Sequence, residues 1–300
     1  MFMKEFELLK IIEEEFCYDD VEVPTGTHDA TYVKVDNRYF VFTCDTVNEK
    51  SDFPPYMCTE EMGHMALAVT LSDLAACGSK PLYFLNSISL KEADENLLRG
   101  ILRGIKNLAA KYGVKVLGGD IDFSDILTIC GFAVGEARRI ITRGGAVVGE
   151  RVYVTDKLGK AQLSLDMLLE GSKRSEIPYP SNLYTPEPRI KEGMLIANYA
   201  GALADISDSL AVSLHQVAER SNVRIIIEES KIPLDHLTKY VDKEKALELF
   251  IYGGGDYELL FTAKKSNVGI EIGYVEDGEG VYLKRKDGYE NIEFRGYTHF

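Results

Sequence analysis

Residues 59–78, TEEMGHMALAVTLSDLAACG, constrain this chain more than any other stretch. Met62, Met65, Ala66, Val69, Leu74 and Cys77 recur at helical spacing. Thr59 can cap the start with Glu60 and Glu61 in the first turn, and Gly78 can close the end. A helix this apolar has to be buried, so the fold has to be built around it. Its last turns nevertheless carry Asp73, at the end where the helix dipole is negative and a cation is preferred. Something positive has to compensate it, which leaves an ordinary hydrogen-bonded or arginine-paired aspartate or a metal ligand.

The chain of 300 residues, 45% of them hydrophobic, can bury a large core, and its length suggests two lobes. A net charge of −14 argues against a nucleic-acid partner or an anionic membrane surface, both of which need a clustered positive field. No apolar run is long enough to span a bilayer, and the amphipathic start, with Phe6, Leu9, Ile12 and Phe16 on one side, does not resemble a signal peptide. The five cysteines, Cys17, Cys44, Cys58, Cys77 and Cys130, are scattered without a CxxC pair, as expected of reduced thiols in the cytoplasm.

In chain order, Pro24 to Asp29 is a polar turn leading into alternating Tyr32 to Val35, and Tyr39 to Thr43 returns as a second strand. An antiparallel pairing brings Asp29 and Asp45 to the same end, either as two turn formers or as two ligands. Strands are expected over Pro81 to Leu90, Val114 to Leu117 and Ile126 to Arg138, with a long helix over Ala93 to Tyr112. Gly118-Gly119-Asp120 reads as a strand-end turn whose amides can line an anion-binding concavity. Strands and helices thus alternate through residues 1–138, which close the first lobe.

The second lobe opens with Arg138, Arg139 and Arg143; Arg143, before Gly144-Gly145, suits a phosphate clamp, with solvated surface arginines as the alternative. Arg151 to Thr155 reads as a strand, Ala161 to Glu170 as a helix, and Ile177 to Pro188, with four prolines, as a loop. In Asp205-Ile206-Ser207-Asp208, Ser207 or Asp208 can cap the helix that follows, which leaves Asp205 unexplained. Val223 to Ile227 reads as a strand and Asp242 to Phe250 as a helix; Gly253-Gly254-Gly255-Asp256-Tyr257-Glu258 then marks a turn with a ligand or another backbone close by, before a strand over Leu259 to Thr262.

Asp29, Asp45, Asp73, Asp120 and the Asp205/Asp208 pair all sit at expected element ends beside Gly, Ser or Thr. If they converge, their repulsion is relieved by hard divalent cations, of which magnesium suits carboxylates that bridge to substrate phosphates. With Arg143 and the glycine turns, the ligand this suggests is a nucleoside triphosphate. GxxxxGK[ST], the protein-kinase signatures and a strand-borne GxGxxG are absent from the sequence.

The ordered set Leu71-Ser72-Asp73-Leu74-Ala75-Ala76, Gly118-Gly119-Asp120, Arg143-Gly144-Gly145-Ala146, Pro186-Glu187-Pro188-Arg189, Asp205-Ile206-Ser207-Asp208, Asp256-Tyr257-Glu258-Leu259-Leu260-Phe261-Thr262 and the closing Gly296-Tyr297-Thr298-His299-Phe300 resembles the thiamine-monophosphate kinases nearly end to end. These belong to the superfamily of aminoimidazole ribonucleotide (AIR) synthetase, selenophosphate synthetase and HypE. The resemblance implies a two-domain α/β (α+β) fold of AIR-synthetase type: residues 1–138 bind magnesium and ATP and dimerise through their sheet, and residues 139–300 form a second α/β domain. The implied reaction moves the γ-phosphate of ATP to thiamine monophosphate.

By matched position, the resemblance implies Asp29, Thr43, Cys44, Asp45, Asp73, Asp120, Asp205 and Asp208 around the metals, with Asp45, Asp73, Asp120 and Asp208 central to catalysis. It implies Gly119, Asp120, Arg143 and Ser207 as ATP contacts, and Asp52, Gly255 and Phe294 at the acceptor. The chain departs from the family pattern in several places. Gly-Asp-Asp is Thr27-His28-Asp29, a Thr is Cys44, a His is Asp52, the Glu of Gly-Gly-Glu-Asp is Gly255, a Trp is Phe294, and the Gly after Asp208 is Ser209. Metal and ATP handling are therefore better preserved than acceptor recognition. Two other readings share the scaffold: an enzyme activating a different small-molecule acceptor, and a nucleotide-binding assembly protein without turnover.

Overall fold

The computed structural model describes residues 2–16, 18 and 21–298, with the side chains of residues 2–6 left out. Cys17, His299, Phe300 and the side chain of Phe6 lie outside the described residues. Helix α1 (Phe2–Glu15) precedes the hairpin of β1 (Thr31–Val35) and β2 (Arg38–Asn48), and α2 (Thr59–Ala76), β3 (Lys80–Leu90), α3 (Glu95–Tyr112), β4 (Lys115–Phe123) and β5 (Thr128–Ala137) follow. They give a five-stranded sheet in the order β1-β2-β5-β3-β4, antiparallel except for β3 beside β4.

The second sheet has seven strands. In chain order its elements are β6 (Arg151–Val154), α4 (Lys160–Leu169), α5 (Pro180–Tyr184), α6 (Ile190–Ile196), β7 (Leu203–Ile206), α7 (Leu210–Ser221), β8 (Arg224–Glu228), α8 (Lys243–Tyr252), β9 (Glu258–Ala263), β10 (Ile270–Glu276), β11 (Gly280–Arg285) and β12 (Gly288–Asn291). The strand order is β12-β11-β8-β10-β6-β9-β7. Among the described residues, no helix is long and apolar enough to cross a membrane.

Helix α2 is the shared core of the two halves. Twelve of its 18 residues are buried, on every side, because it lies between the first sheet and strands β7 and β9 of the second. One apolar cluster accordingly runs from Val41 and Ile129 through Leu67, Leu71 and Leu74 to Leu203 and Phe261. The close approach depends on glycines. A Cβ on Gly104 of α3 would meet the Glu60 carbonyl oxygen at 1.9 Å, and one on Gly193 of α6 would meet that of Ala75 at 2.2 Å. The N-cap of α2 is Cys58 rather than Thr59, and the Glu61 carboxylate accepts from the Cys58 N–H at 2.9 Å. Gly78, at φ 57°, closes the other end.

Three further elements differ from the sequence reading. Strand β4 does not stop at Gly118 but runs straight through Gly118-Gly119-Asp120, because each residue finds a partner on β3, Ser87 opposite Asp120 among them. The proline-rich loop contains α5, with Pro180 at its first turn, where proline's missing N–H costs nothing. The cap of α7 is Ser209, whose hydroxyl accepts from Val212 N–H at 3.1 Å, not Ser207 or Asp208.

Candidate active site

Asp29 from the turn before β1, Asp73 from the last turns of α2 and Asp205 from β7 bring carboxylate oxygens within 4.8 Å of one another. Each is fixed by a different element. Thr43, on the helix-facing side of β2, donates its hydroxyl to Asp73 Oδ2. Ser72 Oγ donates to Asp205 Oδ2 at 2.9 Å, and Ser213 Oγ donates to the Asp205 carbonyl at 2.8 Å. The Arg143 guanidinium pairs with Asp29 Oδ1, and His28 Nδ1 lies 3.2 Å from Asp29 Oδ2. The positive group expected beside Asp73 therefore reaches the cluster through Asp29.

Burial pushes the Asp73 and Asp205 carboxyls well above the usual carboxylate range. Neighbouring carboxylates add to this: Asp205, Asp45 and Asp29 for Asp73, and Asp29 for Asp205. Burial acts on Asp29 in the same sense, but Arg143 and His28 outweigh it and hold that carboxyl well below its ordinary value. Asp29 Oδ2 is buried without a hydrogen-bond partner among the described residues. Three clustered carboxylates, one of them with an oxygen that accepts no hydrogen bond, suit a hard divalent cation, which prefers oxygen ligands.

Asp73 and Asp205 of the cluster line a cavity of about 340 Å³. Asp45, Asp52, Asp73, Asp205 and Asp208 line it, and among its described lining residues there is no lysine, arginine or histidine. The apolar part of its lining is Met65 and Val69 of α2, Leu165 of α4 and Leu183 of α5. Two loops complete it. The loop bearing Asp52 is stapled internally, since Asp52 Oδ2 accepts from Asn48 N–H at 2.8 Å and from Ser51 Oγ at 2.7 Å. It is held from outside by Arg174, which pairs with Glu61 and donates to the Tyr56 carbonyl at 2.8 Å, and by Tyr184, whose hydroxyl donates to the Pro55 carbonyl at 2.6 Å.

The Gly253–Glu258 loop has another backbone close by, as the glycines implied: a Cβ on Gly254 would lie 2.7 Å from the Asp208 carbonyl oxygen. Asp256 accepts from the N–H groups of Gly159 and Ala161 at the start of α4. Burial, only partly offset by those two bonds, raises its carboxyl to about 7.

Of the sequence-derived site residues, Asp45, Asp52, Asp73, Asp205, Ser207, Asp208 and Gly255 line this cavity, and Asp29, Thr43 and Arg143 adjoin it through Asp73 and Asp29. Four others lie elsewhere. Cys44 follows Thr43 on β2, so its side chain takes the open face of the sheet, where Sγ is 3.4 Å from Cys130 Sγ. Gly119 and Asp120 are exposed on edge strand β4. Asp120 shares a row with Ser87, Cys130 and Thr46, about 14 Å, or three inter-strand spacings, from Thr46. Phe294 packs edge-on against the His215 ring, centroids 5.5 Å apart, while Tyr297 takes a place in the cavity wall. Arg139 donates to the carbonyls of Ala197 and Ala200 beyond α6.

Residues that sequence reasoning did not single out include Ser72, the apolar wall and Tyr257. Tyr257 carried a visible signal, since it directly follows three glycines and an aspartate.

Residues 27–137 match the model of the AIR synthase related protein N-terminal domain. The chain is 61% identical to a thiamine-monophosphate kinase from Archaeoglobus fulgidus over 99% of its own length and 98% of the relative's. It is 36% identical to one from Pyrococcus horikoshii, over 99% and 96% of the two chains. The solved structure of AaThiL complexed with AMPPCP and TMP superposes with a TM-score of 0.88 at 32% identity, covering 99% of this chain and 97% of that one. With a relative this similar matched over almost its whole length and a carboxylate-floored cavity between its two sheets, the chain belongs to the thiamine-monophosphate kinase family.

Proposed function

We propose that this protein transfers the γ-phosphoryl group of ATP to thiamine monophosphate, giving thiamine diphosphate and ADP. The observation that carries the proposal is the cavity itself: it is lined by carboxylates and by apolar side chains, with no basic lining side chain among the described residues. Two anionic substrates can meet in such a site only with cations between them. The acceptor is a phosphate monoester with a second pKa of about 6, already ionised at neutral pH, so no side chain has to act as general base. The carboxylates are free to hold metal.

Asp29, Asp73 and Asp205, with Asp45 and Asp208 beside them, are the residues that would hold magnesium. Bound there, it supplies charge neutralisation for the transferring group. Thr43 and Ser72 orient Asp73 and Asp205, and Arg143 keeps Asp29 ionised. The apolar wall shelters the acceptor's rings and excludes water. Arg143 and Ser207, with Gly119 and Asp120, are retained as the ATP contacts.

A homodimer belongs to the same reading. All nine residues of β4 are exposed, among them Leu117, Ile121 and Phe123 at 59%, 60% and 69%, and such an apolar unpaired edge calls for a partner. Gly119 and Asp120 would then serve ATP at that interface. A division into units 1–138 and 139–300 is supported by the first sheet ending at Ala137 and the second beginning at Arg151. A cytoplasmic setting is supported by Cys44, Cys58, Cys77 and Cys130 being free thiols.

Incubation with magnesium, ATP and thiamine monophosphate, with ADP and thiamine diphosphate measured together, tests the proposal. Matching appearance of both supports it, and ADP without thiamine diphosphate rejects it. The second reading, a different acceptor on the same scaffold, is favoured by Asp52 and Gly255, which face the cavity where the family pattern has His and Glu. ADP release that depends on another phosphorylated or carboxylated compound would establish it.

A further inference from the structure

Among the described residues, four that are not glycine have positive φ: Asp36, Tyr56, Asn222 and Tyr257. Asp36 turns the β1–β2 hairpin and Asn222 ends α7, places where short polar residues adopt this geometry readily. Tyr257, at φ 51°, has no such excuse, and an aromatic residue held there marks a backbone over-determined by its surroundings. Those surroundings are visible. The Tyr257 N–H donates to the Ile206 carbonyl at 3.1 Å, the Gly255 N–H to the Ser207 carbonyl at 2.7 Å, and the intervening Asp256 carboxylate is anchored on the start of α4. The outcome is a tyrosine side chain in the wall of the cavity.

Tyr257 packs against the apolar core, as Leu165 does, and it shares the cavity lining with Asp45, Asp52, Asp205 and Asp208. A tyrosine hydroxyl is a neutral donor at neutral pH. An acceptor with aromatic rings and a single phosphate needs stacking surface for the rings and a donor for the phosphate. In a cavity without basic lining side chains among the described residues, a phosphate has only neutral donors besides cations to bind it.

We infer that the Tyr257 hydroxyl donates a hydrogen bond to the acceptor's phosphate and that the left-handed backbone exists to put it there; this rests on the phosphotransfer reading above. The test compares wild type with Tyr257→Phe, which removes only the hydroxyl, and Tyr257→Asn, which removes the ring and suits the left-handed backbone. Steady-state assays vary ATP and thiamine monophosphate separately, and calorimetry measures thiamine monophosphate binding to the magnesium–AMPPCP complex of each protein. Losing a hydrogen bond to a charged group predicts KM and Kd for thiamine monophosphate raised about tenfold or more, with KM for ATP essentially unchanged. Unchanged acceptor constants in an active Tyr257→Phe protein, or a rise confined to ATP, would overturn the inference while leaving the reaction standing. Wild type that makes no thiamine diphosphate would overturn the reaction and the inference with it. Should Tyr257→Phe fail to fold, unchanged acceptor constants in an active Tyr257→Asn protein, which lacks the hydroxyl as well as the ring, would equally overturn the inference.

Discussion

Ser72 Oγ lies 2.9 Å from Asp205 Oδ2, a hydrogen bond between residues 133 apart that joins α2 to the second sheet at the floor of the cavity. The next residue, Asp73, is held by Thr43 of the first sheet. Consecutive positions in one helical turn thus tie the two halves together and point two carboxylates at one spot.

Replacing Asp73 by Asn should cut turnover at least about a hundredfold, since a ligand does at least as much for a metal as its supporting partners do. The same change should raise the thermal midpoint of the metal-free protein at pH 8, because it removes one of several mutually repelling buried carboxylates. Loss of activity with gain of stability, read by ADP release and calorimetry, separates a functional carboxylate from a structural one.

The metal-free protein should lose stability as pH rises. Asp73, Asp205 and Asp256 have raised values in the fold, so between the unfolded carboxyl value of about 4 and their folded values the native state binds more protons than the unfolded one. For Asp256 that window closes near pH 7. Asp29 works in the opposite sense, its stabilisation fading only as pH falls below about 4. Thermal midpoints in chelator should therefore decline from pH 5 to pH 7. Millimolar magnesium should flatten that decline, with protons released on binding in calorimetry across buffers of different ionisation enthalpy.

Arg143→Met should destabilise the metal-free protein by about 3 kcal/mol, the usual cost of stranding one partner of a buried pair. Asp29, 2% exposed, has no solvent to turn to. Denaturant unfolding should show the loss in chelator and its partial recovery with magnesium.

Ile121→Lys on β4 should convert a dimeric elution profile to a monomeric one in gel filtration without lowering the unfolding midpoint of the subunit, because Ile121 is 60% exposed within one chain. An unchanged elution volume, or a wild type that elutes as a monomer, would overturn the proposed dimer through β4.

The sequence carried the local half of this site plainly. The hairpin pattern placed Asp29 and Asp45 at one end, and the apolar run around Asp73 announced a buried carboxylate. The failures were of another kind. Gly118-Gly119-Asp120 has the composition of a turn, yet pairing with β3 outweighs that preference, so Asp120 sits on a strand edge. Cys44 adjoins two site residues, but the two-residue period of a strand turns its thiol to the other face. The apolar wall was illegible because Met65, Leu165 and Leu183 come from three helices whose packing no local pattern encodes. Ser72 gave no sign beyond standing next to Asp73.

The bond from Ser72 to Asp205 has a kinetic meaning as well. Contacts between residues so far apart carry the larger loop-closure cost, and we expect this one to close after the hairpin and the α2–α3 pair. A cation bound among Asp29, Asp73 and Asp205 rewards only the finished structure. Magnesium should therefore slow unfolding while leaving the folding limb of the chevron where it was, making the substrate-ready enzyme long-lived rather than quick to assemble.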